Sequence, residues 1–110
     1  MADVILANNF KTAASTTIEA VYTSPTTSKG TLITAFTASN SAIASSYFNA
    51  YIVDASGVVG DPVQPQTIVV KDRKNAGSGI VNQLIPAGGT LRVSDQNAGY
   101  LNFYVTGRDL

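Results

Sequence analysis

Apolar and polar residues alternate over short segments of the chain, and clusters of turn residues separate these segments. Alternation with a period of two is typical of β-strands that bury one face. The pattern predicts seven or eight strands, whereas no segment keeps a helical period over three turns. The predicted strands span residues 4–12, 16–23, 31–39, 46–54, 67–71, 80–85, 90–94 and 100–106. The stretch 1–12 is either an edge strand or an extended N-terminal arm.

The same alternation assigns faces to the predicted strands. Leu32 and Phe36 are expected to share one face of the strand 31–39. In the later strands, the expected inward positions are Phe48, Ala50 and Ile52, followed by Leu101, Phe103 and Val105. Two antiparallel sheets packed face to face allow each strand to bury one face. The predicted fold class is therefore an all-β antiparallel β-sandwich, either jelly-roll or immunoglobulin-like, that forms a single domain over residues 1–110.

Composition narrows the range of functions. Charged residues make up 13% of the chain, which is about half the usual share, and Thr and Ser replace them with 12 and 10 copies. The formal net charge is zero, whereas a protein that binds nucleic acid through phosphates needs an excess of Lys and Arg. The N-terminal segment has too short an apolar run for a signal peptide or a membrane span. We therefore predict synthesis in a host cytoplasm, with neither nucleic acid nor a membrane as a partner.

The chain lacks the residues that most often perform chemistry. It contains no His and no Cys, so a Ser-His-Asp triad, a thiolate nucleophile and the commonest metal ligands are excluded. No Ser lies in a nucleophile-elbow motif that would support a serine–lysine pair. The candidate carboxylates for sugar hydrolysis are Glu19, Asp54, Asp61, Asp72 and Asp95. Because Asp at strand ends usually bonds to the backbone, we predict a non-enzymatic protein with no catalytic residues and no cofactor.

Three loops contain weak motifs. The loop Asp54–Asp61 is rich in oxygen ligands but lacks the spacing of a dedicated calcium loop, so no metal is predicted. The loop Asn75–Gly79 contains a G-x-G, but no strand-to-helix unit accompanies it. The run Lys71–Lys74 is either a solvated loop or a contact in which Arg73 and Lys74 meet an acidic patch on a partner.

Aromatic and exposed apolar residues are the stronger candidates for function. Tyr47, Tyr51, Tyr100 and Tyr104 alternate with the predicted core positions, so they form either an interface or a second half of the core. Tyr is enriched at protein interfaces because it supplies area and a hydrogen bond at low entropic cost. The other candidate interface residues lie in the N-terminal stretch and in the long loop 55–65, and they are Val4, Ile5, Leu6, Phe10, Val58 and Val59.

Four segments of the chain carry a resemblance to a known group of proteins. The segments Thr16–Pro25, Thr31–Phe36, Asn49–Asp54 and Leu84–Leu91 resemble parts of small β-sandwich virion proteins of tailed bacteriophages. The resemblance implies a capsid decoration (cement) protein on the outer surface of the virion, bound to the major capsid protein. Relatives in this group also occur at the neck, collar or tail. Self-association as a dimer or trimer is expected as well.

Two other functions remain open at the level of sequence. A receptor- or carbohydrate-binding module of a tail or fibre would use exposed aromatic residues beside Asn or Asp, as in Tyr100, Asn102 and Tyr104. The absence of Trp weakens this alternative. A small glycosidase is the enzymatic alternative, and it would depend on the carboxylates named above.

Overall fold

The protein is an all-β sandwich, as the alternation predicts. A computed structural model describes residues 3–71 and 79–110, and this part of the chain contains eight strands and no helix. The strands are β1 (Val4–Phe10), β2 (Glu19–Thr23), β3 (Thr31–Asn40), β4 (Ser46–Val53), β5 (Gln64–Val69), β6 (Leu84–Ile85), β7 (Thr90–Asp95) and β8 (Leu101–Asp109).

The strands form two four-stranded antiparallel sheets. Sheet A has the order β1-β8-β3-β6, and sheet B has the order β2-β7-β4-β5. Only β4 and β5 are neighbours in both sequence and space, and every other connection crosses from one sheet to the other. An immunoglobulin fold instead pairs its first two strands directly. The observed order is that of an eight-stranded jelly roll, and this resolves the two predicted alternatives.

The core lies between the sheets and is organised around three phenylalanines. Phe36 and Phe103 come from sheet A and Phe48 comes from sheet B, with ring centroids 5.5 to 5.9 Å apart. All three side chains are fully buried. The inward positions predicted for β8, Leu101, Phe103 and Val105, are buried in this core.

Because β3 contains a β-bulge, Leu32 and Phe36 do not share one face of the strand as predicted. Opposite β8, Ile33 pairs with Gly107 and Ala35 pairs with the adjacent Thr106, so Thr34 is an extra residue in β3. One extra residue reverses the side-chain alternation beyond it. Before the bulge Ile33 is buried, and after it Phe36 is buried, whereas Leu32 is only half-buried.

The predicted strands 16–23 and 80–85 both begin later than expected, and each contains a residue with positive φ ahead of the observed strand. Thr16 has φ 60° and Asn82 has φ 70°, a left-handed conformation outside the extended region of a strand. The observed strand β2 begins at Glu19 and β6 at Leu84. Asn9, with φ 56°, lies inside β1, where it falls within a register shift against β8. At the end of β4, the alternation predicts that Val53 faces outward, but Val53 is buried.

The N-terminal stretch forms the edge strand β1 of sheet A. It pairs antiparallel with β8 through two register shifts, one of which precedes Phe10. Its residue Leu6 joins the core, and Phe10 is half-buried against it. Val4 and Ile5 at the start of the strand are exposed.

Candidate interaction surfaces

The four candidate tyrosines lie on different surfaces of the sandwich. Tyr47 and Tyr51 alternate with buried residues of β4 and face outward from sheet B. Tyr104 alternates with the core residues of β8 and faces outward from sheet A. Tyr100 precedes β8 in a turn. All four are half-buried, and they do not form one continuous row.

The outer face of sheet B combines aromatic, aliphatic and cationic side chains. In the register of the sheet, Tyr47 lies opposite Ile68 of β5, and Tyr51 lies opposite Arg92 of β7. Ile68 is 62% exposed although it is a large aliphatic residue in a strand. Tyr and Arg are enriched in protein interfaces, and an exposed aliphatic residue beside them adds apolar area. We call Tyr47, Tyr51, Ile68 and Arg92 the sheet B patch.

The outer face of sheet A contains a depression with a volume of about 240 Å³. Its lining is mostly apolar and comes from β1, β3 and β8, through Ile5, Ala7, Asn8, Ala35, Thr37, Tyr104, Val105 and Thr106. Beside it, Asp3 forms an ion pair with Arg108 at 2.8 Å and accepts a hydrogen bond from Thr34. We call this feature the sheet A depression.

The loop between β4 and β5 presents Val58 and Val59 to solvent. It begins with a turn in which Asp54 accepts hydrogen bonds from the backbone N–H and the hydroxyl of Ser56. These hydrogen bonds lower the pKa of the Asp54 carboxyl below its ordinary value. Val58 follows the turn and is 75% exposed. Asp54 therefore shapes the start of this loop.

The most exposed large apolar side chain of the described residues is Ile43, which is not among the residues predicted for an interface. It is 94% exposed in the loop 41–45 between β3 and β4. The buried side chain of Asn40 donates hydrogen bonds to the carbonyl oxygens of Ala44 and Val69, and it accepts one from the N–H of Ala42. These hydrogen bonds connect the loop to the end of β3 and, through Val69, to β5. A lone Ile among Ser and Ala residues has no periodicity, so only its place after a strand-ending Asn could have marked it.

The basic candidates Arg73 and Lys74 lie outside the described residues, as does the loop Asn75–Gly79 apart from Gly79. The carboxylate Asp72 also lies outside them. At the start of this run, Lys71 is exposed. The prediction that these charges meet an acidic partner stays a prediction.

The remaining candidate carboxylates are dispersed, and three of the four bond to local groups. Glu19 accepts hydrogen bonds from the N–H groups of Ala13 and Ala14, whereas Asp61 is exposed. The fully buried Asp95 accepts from the Ser46 hydroxyl and from the N–H of Leu101. Among residues 3–71 and 79–110, no three acidic side chains lie close enough to hold a metal ion.

A second polar network, which is partly buried, joins the two sheets. Tyr22 of sheet B donates a hydrogen bond to Asp109 of sheet A, with O–O distances of 2.9 and 3.0 Å. The hydroxyl of the fully buried Thr31 lies 2.5 Å from Asp109 and 2.8 Å from Ser24. Two effects raise the pKa of Tyr22 above its ordinary value of 10.0. The larger is desolvation of the hydroxyl by burial, and the smaller is the contact with Asp109. This network fixes the end of β8 against β2.

Comparisons of the chain with protein-family models, with curated proteins and with solved structures find no match. In the part of the chain that the structure describes, no helix is long and apolar enough to cross a membrane. A function therefore has to be inferred from the sheet B patch, the sheet A depression and the exposed loops.

Proposed function

We propose that the protein is a structural component of a bacteriophage virion, and specifically a decoration protein that binds the major capsid protein on the outer surface of the shell. The observation that carries this proposal is the sheet B patch. It places two tyrosines, an arginine and an exposed isoleucine on one outer face of the sandwich. The protein would be made in the host cytoplasm and would act by adhesion, without catalysis.

The chemistry of the patch suits a contact with another protein. Aromatic and Arg side chains often provide the few contacts that dominate the binding energy of an interface. Tyr47 and Tyr51 belong to β4, which lies between β5 and β7 in sheet B, so little backbone ordering accompanies binding. Many copies on a symmetric shell would stiffen it through numerous contacts of modest strength.

The fold is compatible with this role at the level of analogy. Jelly rolls with eight strands occur in viral capsid proteins and in lectins. Because one fold supports many functions, the fold alone does not decide between these two groups. The surface residues have to make that distinction.

The carbohydrate alternative finds less support in the surface residues. Asn102 is buried, and its side-chain amide donates a hydrogen bond to the carbonyl oxygen of Ser39 at 3.2 Å. Tyr100 lies in the turn before β8 rather than beside Tyr104 on the strand. These three residues therefore do not offer a sugar one open site with aromatic and amide groups side by side.

Cryo-electron microscopy of virions assembled with the chain tests the proposal. We expect ordered density over the joints between major capsid subunits, in many copies per shell. Density confined to the neck, collar or tail would favour those positions instead. Particles without any density for the chain would contradict a virion role.

Matched variants test the surface that makes the contact. Tyr51→Ala and Ile68→Ser are expected to lower the affinity for isolated shells by about tenfold or more, as for central interface residues. Val4→Ser is the control, because Val4 is 51% exposed but belongs to sheet A on the opposite face. A loss of binding with Val4→Ser but not with Ile68→Ser would place the contact on sheet A.

A further inference from the structure

The sheet A depression has the size and chemistry to accept an aliphatic side chain. Its volume is about 240 Å³, and protein cavities of about 150 Å³ already hold a benzene molecule. The lining is mostly apolar, with Ile5 and Ala35 on either side of β8. A sugar ring or a charged group would lose hydrogen bonds to water in such a site. An apolar side chain from another protein surface is the better occupant.

The same chain presents a matching side chain at a different place. Ile43 is 94% exposed, so it does not occupy the depression of its own molecule. Its loop is held by the three hydrogen bonds of Asn40 and by one from the N–H of Ser41 to the carbonyl oxygen of Tyr100. The backbone of a loop held in this way loses little conformational freedom on binding. The flanking Ala42 and Ala44 are small and allow close approach.

We propose that Ile43 of one copy inserts into the sheet A depression of a second copy. The formal net charge of zero leaves little long-range repulsion between copies. Reciprocal insertion closes a dimer, whereas one-way insertion gives a ring such as a trimer when the rotation between copies closes and an open filament when it does not. The contact uses sheet A and the loop 41–45, and it leaves the sheet B patch uncovered. It is therefore independent of the proposed binding to the shell.

Sedimentation velocity of the full chain, without any particles, tests the proposal at concentrations from about 10 µM to about 1 mM. We expect the wild type to associate as concentration rises. Ile43→Ser, which removes the inserted side chain, and Ala35→Glu, which blocks the depression, are each expected to weaken association at least tenfold. Val58→Ser is the matched control, since Val58 is also a highly exposed loop aliphatic and should leave association unchanged.

Mixing the two variants provides the decisive measurement. An Ile43→Ser copy keeps its depression and an Ala35→Glu copy keeps its isoleucine, so the mixture should form a one-to-one complex that neither variant forms alone. A wild type that stays monomeric to about 1 mM, undiminished association of Ile43→Ser, or a mixture that fails to associate would each overturn the proposal. Thermal unfolding verifies that each variant is folded, and Thr37→Lys replaces Ala35→Glu if the latter does not fold.

Discussion

Asp95 shows how a single polar residue organises one end of the sandwich. Its carboxylate is fully buried at the end of β7 and accepts hydrogen bonds from Ser46, Asn97 and Leu101. These donors belong to β4, to the turn after β7 and to β8, so one side chain connects both sheets. A buried carboxylate is tolerated because its oxygens are satisfied by these donors. Its role is structural.

Because of Tyr22, the stability of the fold depends on pH in the alkaline range. Because the pKa of Tyr22 is raised in the folded state, the unfolded chain loses this proton first as the pH rises past 10.0. The contribution of Tyr22 to stability is present below that pH and is lost as the pH rises through the folded-state pKa. Tyr22→Phe removes this contribution and should cost about 1 kcal/mol near neutral pH through the lost hydrogen bond.

Urea unfolding of wild type and Tyr22→Phe at about pH 9 and about pH 11 measures this effect. The wild type should lose more of its free energy of unfolding between the two pH values than the variant does. The other four tyrosines are present in both proteins and serve as an internal control. Equal losses would show that the bond to Asp109 does not distinguish the two ionisation states of Tyr22.

The hydrogen bonds of single residues were predictable from the sequence where their partners are close along the chain. Asp54 and Asp95 were expected to bond to nearby backbone groups because they end strands, and both do so. Ile43 was not predictable in this way, because its exposure depends on how the loop 41–45 stands away from both sheets. The sheet A depression likewise depends on three strands that are distant in sequence.

At the level of elements, β8 approaches β3 closely at Gly107. A Cβ on this residue would collide with the carbonyl oxygen of Leu32 and lie 2.8 Å from a methyl carbon of Leu6. We therefore expect Gly107→Ala to lower the free energy of unfolding by about 1–3 kcal/mol, the usual cost of overpacking. Urea unfolding measures this change.

Gly60→Ala is the control for this substitution. A Cβ on Gly60 would meet nothing within 4 Å. The free energy of unfolding of Gly60→Ala should therefore differ from that of the wild type by no more than about 0.5 kcal/mol. Similar effects of the two substitutions would mean that the loss of glycine flexibility, rather than the contact with β3, determines the result.

The period of two predicted most of the strands but not their irregularities. The inward residues of β8, Leu101, Phe103 and Val105, were predicted correctly, but Asn102, which was expected to face outward, is buried as well. The bulge at Thr34 was not predictable, because the surrounding Ile33 and Ala35 are ordinary strand residues and no Gly or Pro marks the position. With the bulge, β3 pairs with β8 along its length and buries both Ile33 and Phe36.

At the level of the whole molecule, β1 belongs to the structural framework. Deletion of residues 1–10 removes Leu6 from the core and leaves β8 with an unpaired edge. The loss of a buried Leu alone costs about 2–5 kcal/mol, a large part of the total stability of a small domain. We expect the deletion to lower the urea midpoint strongly or to prevent folding.

Circular dichroism during urea unfolding checks this expectation. The double variant Val4→Ser, Ile5→Ser is the control, because it changes two exposed side chains and keeps both Leu6 and the strand pairing. An unchanged midpoint after the deletion would instead identify the stretch as a detachable arm. A truncation that unfolds the protein cannot measure the contribution of these residues to binding.

The strand order also determines when the protein can fold during its synthesis. β8 pairs with both β1 and β3, and β7 pairs with both β2 and β4, yet these two strands span residues 90–109. While the ribosome is still producing them, the earlier strands can form only the hairpin of β4 and β5 and the short pairing of β3 with β6. Unpaired strand edges remain exposed during this period, when a growing chain is prone to aggregate. Completion of both sheets must wait until Asp109 has left the ribosomal exit tunnel.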